Sequence, residues 1–536
     1  MAILDSDDIK IEVIRYRNDG LSYRKIADVV GCEQTAVRRF LDKKTYADWW
    51  SRFEKPIASG TFDDHHAEIE ELPHGVYILS SAQNSTFVHS NFLLSLEQMA
   101  KRFDAKIMIG TFSYNLSGFQ NLSKGEGEWF DPKIEEYIYD EPALLAKDLM
   151  WCGELNILPT AANPLSGFHS YTKGGSGIIP HAKMQLESLP RHKSTDPRFL
   201  YTTGTLTKRN YVQKKAGQKA SFHHIYGALV VEVEKNGDWF ARQIVCDSVS
   251  GEFYDLDTLY TPDGWKSGQS VEAINWGDIH AEKLDKTVAD GAFLNEGDCM
   301  LDFLKPKYQF CHDIIDFSAR NHHNIKDPYF RFKLHTSGKL KDSVESDIKS
   351  VSDVLQKMNR DWCKTVVVES NHDLALKRWL KESDYKTDPE NAIIFLELQL
   401  ALYKAIRDGV EKFSIFEYAT RRFLEKELNL LFLKTDETFM ICGENGIECG
   451  DHGHNGNNGA RGSALAFTKQ GKRYNVGHSH SAKIVDGVYQ AGHMMDKNKV
   501  GYAVGGTSWS HSHIVTYANG KRTIVTMRGD KYKANV

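Results

Sequence analysis

Apolar and polar positions follow a helical rhythm at the start of the chain. Within residues 7–18 the apolar side chains recur every three or four positions, and a glycine ends the run. Ser22 is suited to cap a second helix over residues 23–30, and a third helix is predicted over residues 33–41 after a turn. The pattern therefore predicts a small helical unit over residues 1–45.

The string GLSYRKIADVVGCEQTAVRRFL in this unit resembles the helix-turn-helix of DNA-binding proteins. The resemblance implies that Arg38 and Arg39, with Gln34 and Thr35, face a DNA groove or phosphates. A three-helix module that docks another protein is the alternative, because the same geometry is also a plain packing solution.

After a polar linker over residues 46–74, short β-rich runs alternate with helical stretches. The β-rich runs are VYILSS, AKIMIGTF, LNILPT and FLYTTG, and NFLLSLEQMAKRF has helical spacing. This alternation predicts a mostly parallel α/β domain over residues 75–265. The Asp-Asp-His-His cluster of the linker is interpreted as a solvated connector, and the domain has no GxGxxG or Walker loop for a nucleotide cofactor.

One stretch of the middle domain, TLTKRNYVQKKAGQKASFHH, is rich in cations and has no acid. It contains Lys208, Arg209, Lys214, Lys215 and Lys219, with Tyr211 interleaved for stacking on a base. The stretch is interpreted either as a guide for a nucleic-acid backbone or as a solvated loop. His223 and His224 at its end are expected to be structural.

Composition places the chain among globular proteins. Its 536 residues exceed one ordinary domain, and 41% hydrophobic with 26% charged residues is typical of a folded core with a polar surface. No apolar run reaches the length of a membrane span, and the acidic start, MAILDSDDIK, does not fit a signal peptide. We therefore expect a cytoplasmic protein without membrane contact, and homo-oligomer formation stays open.

Charge and cysteine usage limit the chemistry further. A net charge of −5 means that contact with DNA must come from local basic patches or from bound metal. Eight widely spaced cysteines without a CxxC pair favour buried, reduced thiols. Near the end, HIVTYANGKRTIVTM has two alternating runs around Asn519-Gly520, which predicts a β-hairpin.

Five polar clusters in the C-terminal half each follow an apolar, strand-like run. They are Gly277-Asp278-Ile279-His280, His312-Asp313-Ile314-Ile315-Asp316, Asn371-His372-Asp373, His452-Gly453 and Gly477-His478-Ser479-His480. Side chains that follow strands converge at one edge of an α/β sheet. Carboxylate, imidazole and amide donors suit manganese, magnesium, iron or zinc, and not an iron–sulfur cluster. The clusters therefore predict a metal site.

The ordered set resembles the motifs of the calcineurin-like metallophosphoesterases over residues 270–530. The resemblance implies an α/β sandwich for the last domain, residues 270–536, and two divalent ions, with manganese expected and magnesium, iron or zinc as alternatives. One metal would be held by Asp278, His280 and His480, and the second by Asn371, His452 and His478, with Asp313 bridging both. His372 would be the catalytic histidine, and Asp316 would orient it.

Two residues depart from the pattern of that family. His312 and Ser370 stand where the family has glycines, at positions that concern backbone packing. His452 and His454 compete for one role, and His452 is preferred because Gly453 follows it directly. His322 or His323 would echo a further histidine of the exonuclease branch, and His511 with His513 would either line the cleft or pack.

The chemistry expected of such a site is hydrolysis of a phosphoester. Two divalent ions a few ångströms apart activate a water and aim it at phosphorus, and an imidazole such as His372 is suited to protonate the leaving oxygen. The helix-turn-helix and the basic stretch favour DNA as the substrate, so a DNA nuclease is expected.

Segments such as AQNSTFVH, MWCGELNILPT and GTSWSHSHIVTYANGKR also resemble phage-encoded metallophosphoesterases, including host-DNA-degrading early proteins of large coliphages. This resemblance implies action in the host cytoplasm. Two alternatives stay open: a protein phosphatase or cyclic-nucleotide phosphodiesterase of the same family, and a non-catalytic DNA-binding regulator.

Overall fold

The structure is a computed structural model, and it divides into two compact units, Met1–Glu68 and Ile69–Val536. The residues that it describes are 6–18, 20–42, 69–114, 129–318, 320–321, 324–330, 332, 343–443, 446–501 and 503–535. In this part of the chain no helix is both long enough and apolar enough to cross a bilayer.

The N-terminal unit contains the three helices that the sequence predicts, within one residue at every end. They are α1 (Asp7–Asn18), α2 (Tyr23–Val30) and α3 (Gln34–Phe40). Ser22 caps α2 by accepting a hydrogen bond from the backbone N–H of Lys25. The buried side chains include Val13, Ile26 and Val37, one from each helix, so the three helices share a small core.

The larger unit combines helices with many short strands. Its helices are α4 (Ser90–Phe103), α5 (Lys215–His223), α6 (Lys286–Ala289), α7 (Met300–Leu304), α8 (Val344–Met358), α9 (Asp373–Glu382), α10 (Ala392–Arg407), α11 (Ile415–Arg421) and α12 (Ala464–Thr468). The first fourteen strands are β1 (Glu70–Glu71), β2 (Gly75–Gln83), β3 (Lys106–Phe112), β4 (Pro142–Ala146), β5 (Leu149–Cys152), β6 (Ser176–Ile179), β7 (Leu186–Leu189), β8 (Arg191–His192), β9 (Arg198–Thr202), β10 (Gly227–Val233), β11 (Trp239–Val245), β12 (Phe253–Asp255), β13 (Thr258–Thr261) and β14 (Gly264–Lys266). The others are β15 (Ala273–Asn275), β16 (Tyr308–His312), β17 (Lys364–Val368), β18 (Leu430–Leu433), β19 (Met440–Ile441), β20 (Ile447–Glu448), β21 (Arg473–Val476), β22 (Lys483–Val485), β23 (Val488–Gln490), β24 (Gly506–Thr507), β25 (Ser512–Thr516) and β26 (Arg522–Thr526).

Two sheets position the predicted site. A six-stranded sheet has the order β18-β17-β16-β15-β25-β26, and its first four strands are parallel. An eleven-stranded sheet has the order β1-β4-β5-β6-β9-β7-β22-β23-β21-β20-β19. The parallel strands β15, β16 and β17 bring their carboxyl ends to the same edge, as expected for an α/β site.

The middle region differs from the mostly parallel α/β domain that the pattern predicts. β2 and β3 are parallel, but β2 with β10 and β10 with β11 are antiparallel. A parallel pair needs a crossover of a dozen or more residues. Only residues 234–238 separate β10 from β11, so these strands can only return antiparallel.

The predicted strand LNILPT is wrong, because residues 155–160 form irregular chain and a turn. Asn156 uses its side-chain carbonyl to accept the backbone N–H of Ser113, which ties this segment to the end of β3 without a strand ladder. Pro159 also lacks the N–H that a central strand needs.

The boundary predicted near residues 265–270 lies inside the larger unit. β22, from the C-terminal half, pairs with β7 of the middle region, so the eleven-stranded sheet continues across both. Residues 69–74 of the predicted linker also belong to this unit, since β1 pairs with β4. This pairing joins the two regions into one unit. Strands so distant along the chain leave no local sequence pattern when they pair, so the sequence did not predict it.

Two further predictions are confirmed. β25 and β26 form the antiparallel hairpin, and Gly520 in its loop has φ +75°, a left-handed conformation that glycine adopts easily. All eight cysteines are free thiols, six of them buried and Cys32 and Cys442 half-buried.

Candidate metal centre

Side chains from five strand ends meet in one buried centre. Asp278 follows β15, Asp313 follows β16, and His372 lies in the loop after β17. His452 follows β20 and His478 follows β21, two parallel neighbours in the eleven-stranded sheet. The two sheets therefore contribute to the centre together.

The imidazole and carboxylate atoms form three overlapping groups, each within 4.8 Å. The first group contains Asp278, His280, Asp313 and His480, and the second contains Asp313, His452 and His478. The third contains His280, Asp316 and His372. Asp313 belongs to both of the first two groups. The first group matches the first ligand set that the family resemblance implies, and the second matches the other set without Asn371.

Individual distances are compatible with shared ions. His452 Nε2 lies 3.2 Å from Asp313 Oδ2, and His480 Nε2 lies 3.3 Å from Asp278 Oδ2. His280 Nε2 lies 3.7 Å from Asp313 Oδ2. All five side chains are at least nine-tenths buried. Such spacing between nitrogen and oxygen donors suits a divalent cation that both sides contact.

Several atoms of the centre are buried without a hydrogen bond of good geometry. They are Asp278 Oδ2, Asp313 Oδ1 and both ring nitrogens of His280 and of His452. A buried polar atom without a partner is costly, and native proteins leave few of them. The donor set therefore fits divalent metal ions, which would satisfy these atoms.

The backbone of the centre is held in an unfavourable conformation. His280, Asp313, His478 and His480 all have positive φ, between 43° and 73°. Residues with a Cβ avoid this region, and such residues cluster at binding and catalytic sites. The surrounding structure therefore holds these four side chains in place at a cost in stability.

The loop after β21 begins at position 477, where only glycine fits. A Cβ at this position would lie 2.3 Å from Asp278 Oδ1 and 3.1 Å from His312 Cβ. The backbone N–H of the next residue, His478, donates to Asp278 Oδ1 at 3.2 Å. Close approach of this backbone to Asp278 is possible only without a side chain.

Burial and mutual charge set the protonation of the centre. Burial and the neighbouring Asp313 raise the pKa of Asp278 to about 8. Burial acts to raise the pKa of Asp313 as well, but His452 and His372 outweigh it and hold that pKa well below its usual range. Burial lowers the pKa of His478 to about 4, so this imidazole is neutral and able to bind a cation.

The predicted partnership of Asp316 with His372 needs a correction. His372 Nδ1 donates to the backbone carbonyl of Asp316 at 2.8 Å, while the carboxylate of Asp316 lies 3.3 Å from His280 Nδ1. Asp316 thus orients His372 through its main chain, and its carboxylate faces a predicted ligand. The reason is the turn after β16, where Phe317 has φ +49° and the carbonyl points to His372.

Asn371 and His454 lie at the entrance to the centre. Asn371 is exposed, and both residues line a cleft of about 560 Å³ that His372 also borders. His452 is buried in the centre, whereas His454 is half-exposed in the cleft. This placement agrees with the preference for His452 as the ligand.

Sequence reasoning missed Glu282 and left the two departures from the family pattern unexplained. Glu282 accepts the backbone N–H groups of Asp316 at 2.9 Å and Phe317 at 3.1 Å, which fixes the turn that carries Asp316. Ser370 and Asp373 exchange hydrogen bonds at the start of α9, so a serine fits there. No local pattern marks Glu282, although it stands two residues after His280.

His312 fills the position of the missing glycine. Its ring is buried 5.6 Å from the ring of His452, centroid to centroid, at an interplanar angle of 33°. Burial lowers the pKa of His312 to about 3, so its ring is neutral. The side chain therefore packs against a predicted ligand without adding charge.

The residues predicted to contact nucleic acid lie apart from this centre in the sequence. Arg38 and Arg39 are exposed on α3, and Lys208, Arg209, Lys214 and Lys215 are exposed around α5. Tyr211 is buried and contacts Tyr114 and His224, so the prediction that it stacks on a base is wrong. His224 is structural as predicted, since its Nε2 bonds the carbonyl of Thr207.

The structure gives partners for two of the remaining histidines. His513 Nδ1 accepts the backbone N–H of Gly277, and His511 bonds the carbonyl of Met495, so both have structural partners. His322, His323 and the Asp-Asp-His-His cluster of residues 63–66 lie outside the described residues.

Comparison with known proteins gives one strong relative. The chain is 43% identical over 490 residues to Protein A1 of Escherichia phage T5, a match that covers 90% of this chain and 87% of the relative. No protein-family model and no solved structure matches it. Identity of this extent shows common descent, and the chain belongs to the family of phage T5 Protein A1.

Proposed function

We propose that this protein is a metal-dependent nuclease that hydrolyses the phosphodiester bonds of DNA, with a calcineurin-like catalytic region. The observation that carries the proposal is the pair of buried ligand groups that share Asp313 at the carboxyl ends of parallel strands. A structural metal site needs one closed set of ligands, whereas two adjoining sets beside a cleft suit hydrolysis of a phosphoester.

Each set supplies donors for one ion. Asp278, His280 and His480 would hold the first metal, and His452 and His478 the second, with Asp313 between them. When bound, two divalent ions neutralise the phosphate and lower the pKa of an attacking water. The oxygen and nitrogen donors suit manganese, magnesium, iron or zinc.

In this proposal His372 acts as the general acid. Its Nδ1–H donates to the carbonyl of Asp316, which leaves Nε2 for the substrate. In the metal-free protein Asp313 and Asp316 outweigh burial and raise the pKa of His372, and bound cations would act in the opposite direction. A protonated imidazole at the cleft can donate to the leaving oxygen of a phosphodiester.

The cleft beside His372 suits a polyanion. Lys377, Arg378 and Lys381 are exposed on α9 and line it, with Glu382 as the acid among them. Arg378 lies 3.7 Å from Glu382, so the two lysines carry most of the remaining positive charge. Cations beside the reacting phosphate attract the neighbouring phosphates of a strand, which favours a polynucleotide over a small phosphomonoester. The similar protein is encoded by a phage. If this chain is phage-encoded as well, the proposed nuclease acts in the cytoplasm of the host.

The test is digestion of linear and closed circular DNA with added manganese. We expect cleavage by the wild type and a decrease in rate of roughly 10²–10⁴-fold in His372→Ala, the usual contribution of a general acid. Loss of both DNA forms indicates an endonuclease, and loss of the linear form alone indicates an exonuclease. DNA binding without cleavage at any divalent metal would contradict the proposal and favour a regulator.

A second assay separates the alternative phosphoesterases. Hydrolysis of an aryl phosphomonoester, with no cleavage of DNA, would favour a phosphatase. The double variant Lys377→Ala, Lys381→Ala tests the cleft. It should weaken DNA binding and reduce the slope of log K against log salt concentration by about one to two. Hydrolysis of an aryl phosphodiester should not change. Lys101→Ala, at an exposed lysine of α4, is the matched control.

A further inference from the structure

Helix α10 carries apolar side chains on its outer face. The exposed fractions are 74% for Ile393, 45% for Leu396, 55% for Leu400, 63% for Tyr403, 63% for Ile406 and 52% for Val410 just beyond the helix. Among the described residues, exposed large apolar side chains do not recur along any other helix in this way. Monomeric proteins scatter such side chains singly, so a continuous row indicates a contact surface.

The inner face of the same helix is also apolar. Ile394, Phe395, Leu398, Ala401 and Ala405 are buried against the rest of the larger unit. A surface helix normally has a polar outer face, and a helix that is apolar all round is buried on both sides. The sequence of α10 is therefore that of a helix covered from outside.

The spacing of the outer row indicates what covers it. Ile393, Leu396, Leu400 and Tyr403 follow the 3-4-3 spacing of the a and d positions of a coiled coil. At 1.5 Å per residue, this row and its continuation to Arg407 extend over about 20 Å. A narrow, straight apolar row of this length fits another helix better than a globular or membrane surface.

We propose that α10 pairs antiparallel with α10 of a second copy of this chain, across a two-fold axis near the middle of the helix. In that arrangement Leu400 lies against Tyr403 of the second copy, and Leu396 lies against the aliphatic stem of Arg407. A two-fold contact uses the same patch on both chains, so each such pair forms twice. The pairing removes the outer row from water on both copies.

Charge along the helix favours the same arrangement. Glu397 and Lys404 are both exposed on one flank of the row, one in each half of α10. Antiparallel pairing places Glu397 of each copy beside Lys404 of the other, whereas in a parallel pair the equivalent flanks of the two helices lie on opposite sides of the interface and these charges do not meet. Arg422 lies 2.7 Å from Glu397 within the chain and holds the carboxylate at the rim of the row. Charged flanks of this kind set partner orientation in coiled coils.

The experiment measures molar mass in solution at micromolar concentration. We expect the wild type to show twice the mass of the chain, or a higher even multiple, and Leu400→Glu to reduce that mass by at least half. Val249→Glu, at a side chain that is 83% exposed elsewhere, is the matched control and should leave the mass unchanged. Circular dichroism checks that both variants fold.

A charge exchange tests the orientation separately. In an Arg422→Gln background, which removes the cation next to Glu397 within the chain, Glu397→Lys and Lys404→Glu alone should each weaken the dimer, and the two together should restore it. A wild-type mass of one chain, or a mass that Leu400→Glu leaves unchanged, would overturn the proposal. Weakening that the double variant does not reverse would overturn the antiparallel arrangement. The readout is mass, so it is independent of any nuclease activity.

Discussion

Two clusters of buried charge in the larger unit differ in the partners that they provide for one another. In the first, Arg242 contacts Asp255 through Nε at 2.7 Å and Nη2 at 2.8 Å, and it contacts Glu232 at 2.6 Å. The other oxygen of Glu232 accepts the backbone N–H of Ala534. In the second, the candidate metal centre, the charges of Asp278 and Asp313 oppose each other, and several buried atoms lack hydrogen bonds.

The contrast separates a structural charge cluster from a binding site. Asp255 and Glu232 hold the pKa of Arg242 well above its usual value despite burial, so the cation of this cluster has anionic partners within the protein, and Nη1 of Arg242 is its one guanidinium nitrogen without a hydrogen bond. The metal centre instead raises the pKa of Asp278 and holds four residues in left-handed backbone conformations. Buried charge without internal compensation is expected where a cation binds.

The largest effect is expected from Arg242→Met. Removing this guanidinium leaves two carboxylates buried together, so the free energy of unfolding should fall by about 3–5 kcal/mol. Urea denaturation measures it, and activity per folded molecule should not change. Lys412→Met is the matched control, because its ion pair with Glu437 is exposed and should contribute less than about 1 kcal/mol. Equal losses in the two variants would remove the distinction between the clusters.

Asp278→Asn should show the opposite profile. Because burial and Asp313 disfavour the Asp278 carboxylate, the metal-free variant should be as stable as the wild type or more stable. Its activity should fall by more than about 100-fold, since even changes outside the ligand shell cost 10–100-fold. Urea denaturation of chelator-treated protein measures the stability, and DNA digestion measures the activity. A large decrease in the free energy of unfolding of the metal-free variant would contradict the interpretation of this cluster as a cation site.

Glu282→Gln tests the support of the centre. The amide keeps one carbonyl oxygen, so one of the two N–H groups of Asp316 and Phe317 loses its acceptor. We expect metal affinity or activity to fall by about 10–100-fold, with little change in the unfolding midpoint. Calorimetric titration with manganese measures the affinity. Glu272→Gln, at a carboxylate near Lys307, is the control and should have no effect.

His224→Gln should have the smallest effect and concerns pH. Burial lowers the pKa of His224 to about 3, below the value near 6.5 of an unfolded histidine. The unfolded chain therefore binds the proton first, and the stability that neutral His224 contributes is complete above about pH 6.5 and is lost as pH falls toward 3. The variant should lose about 1–2 kcal/mol at pH 7 and show a flatter acid limb in urea titrations. An unchanged acid limb would mean that His224 is protonated in the folded state.

The sequence was informative where local rules decide the structure. Apolar spacing and the Ser22 cap predicted the three N-terminal helices, and the alternating run around Asn519-Gly520 predicted the last hairpin. The order of the polar clusters predicted six residues that meet in the centre, because side chains after parallel strands meet at one edge. These six are Asp278, His280, Asp313, His452, His478 and His480.

Features that depend on distant contacts were not predictable in this way. The turn after β16 sends the carbonyl of Asp316, and not its carboxylate, to His372. Glu282 has no motif, and its role follows only from two backbone N–H groups more than 30 residues away. Tyr211 looked exposed among lysines, but its ring packs against Tyr114 in a small core.

The pairing of β7 with β22 has a practical consequence for dissection of this protein. A fragment that begins near residue 270 would retain the strand ends around Asp313 but would leave β22 with a bare, hydrogen-bonding edge. Bare edges recruit other strands, so such a fragment is expected to aggregate when expressed alone. The C-terminal tail adds to this dependence, since Arg528 bonds the carbonyl of Trp239 and Lys531 pairs with Glu234. Exchange of only the C-terminal half between related chains would break the pairing of β7 with β22, so the larger unit is expected to be inherited as one piece.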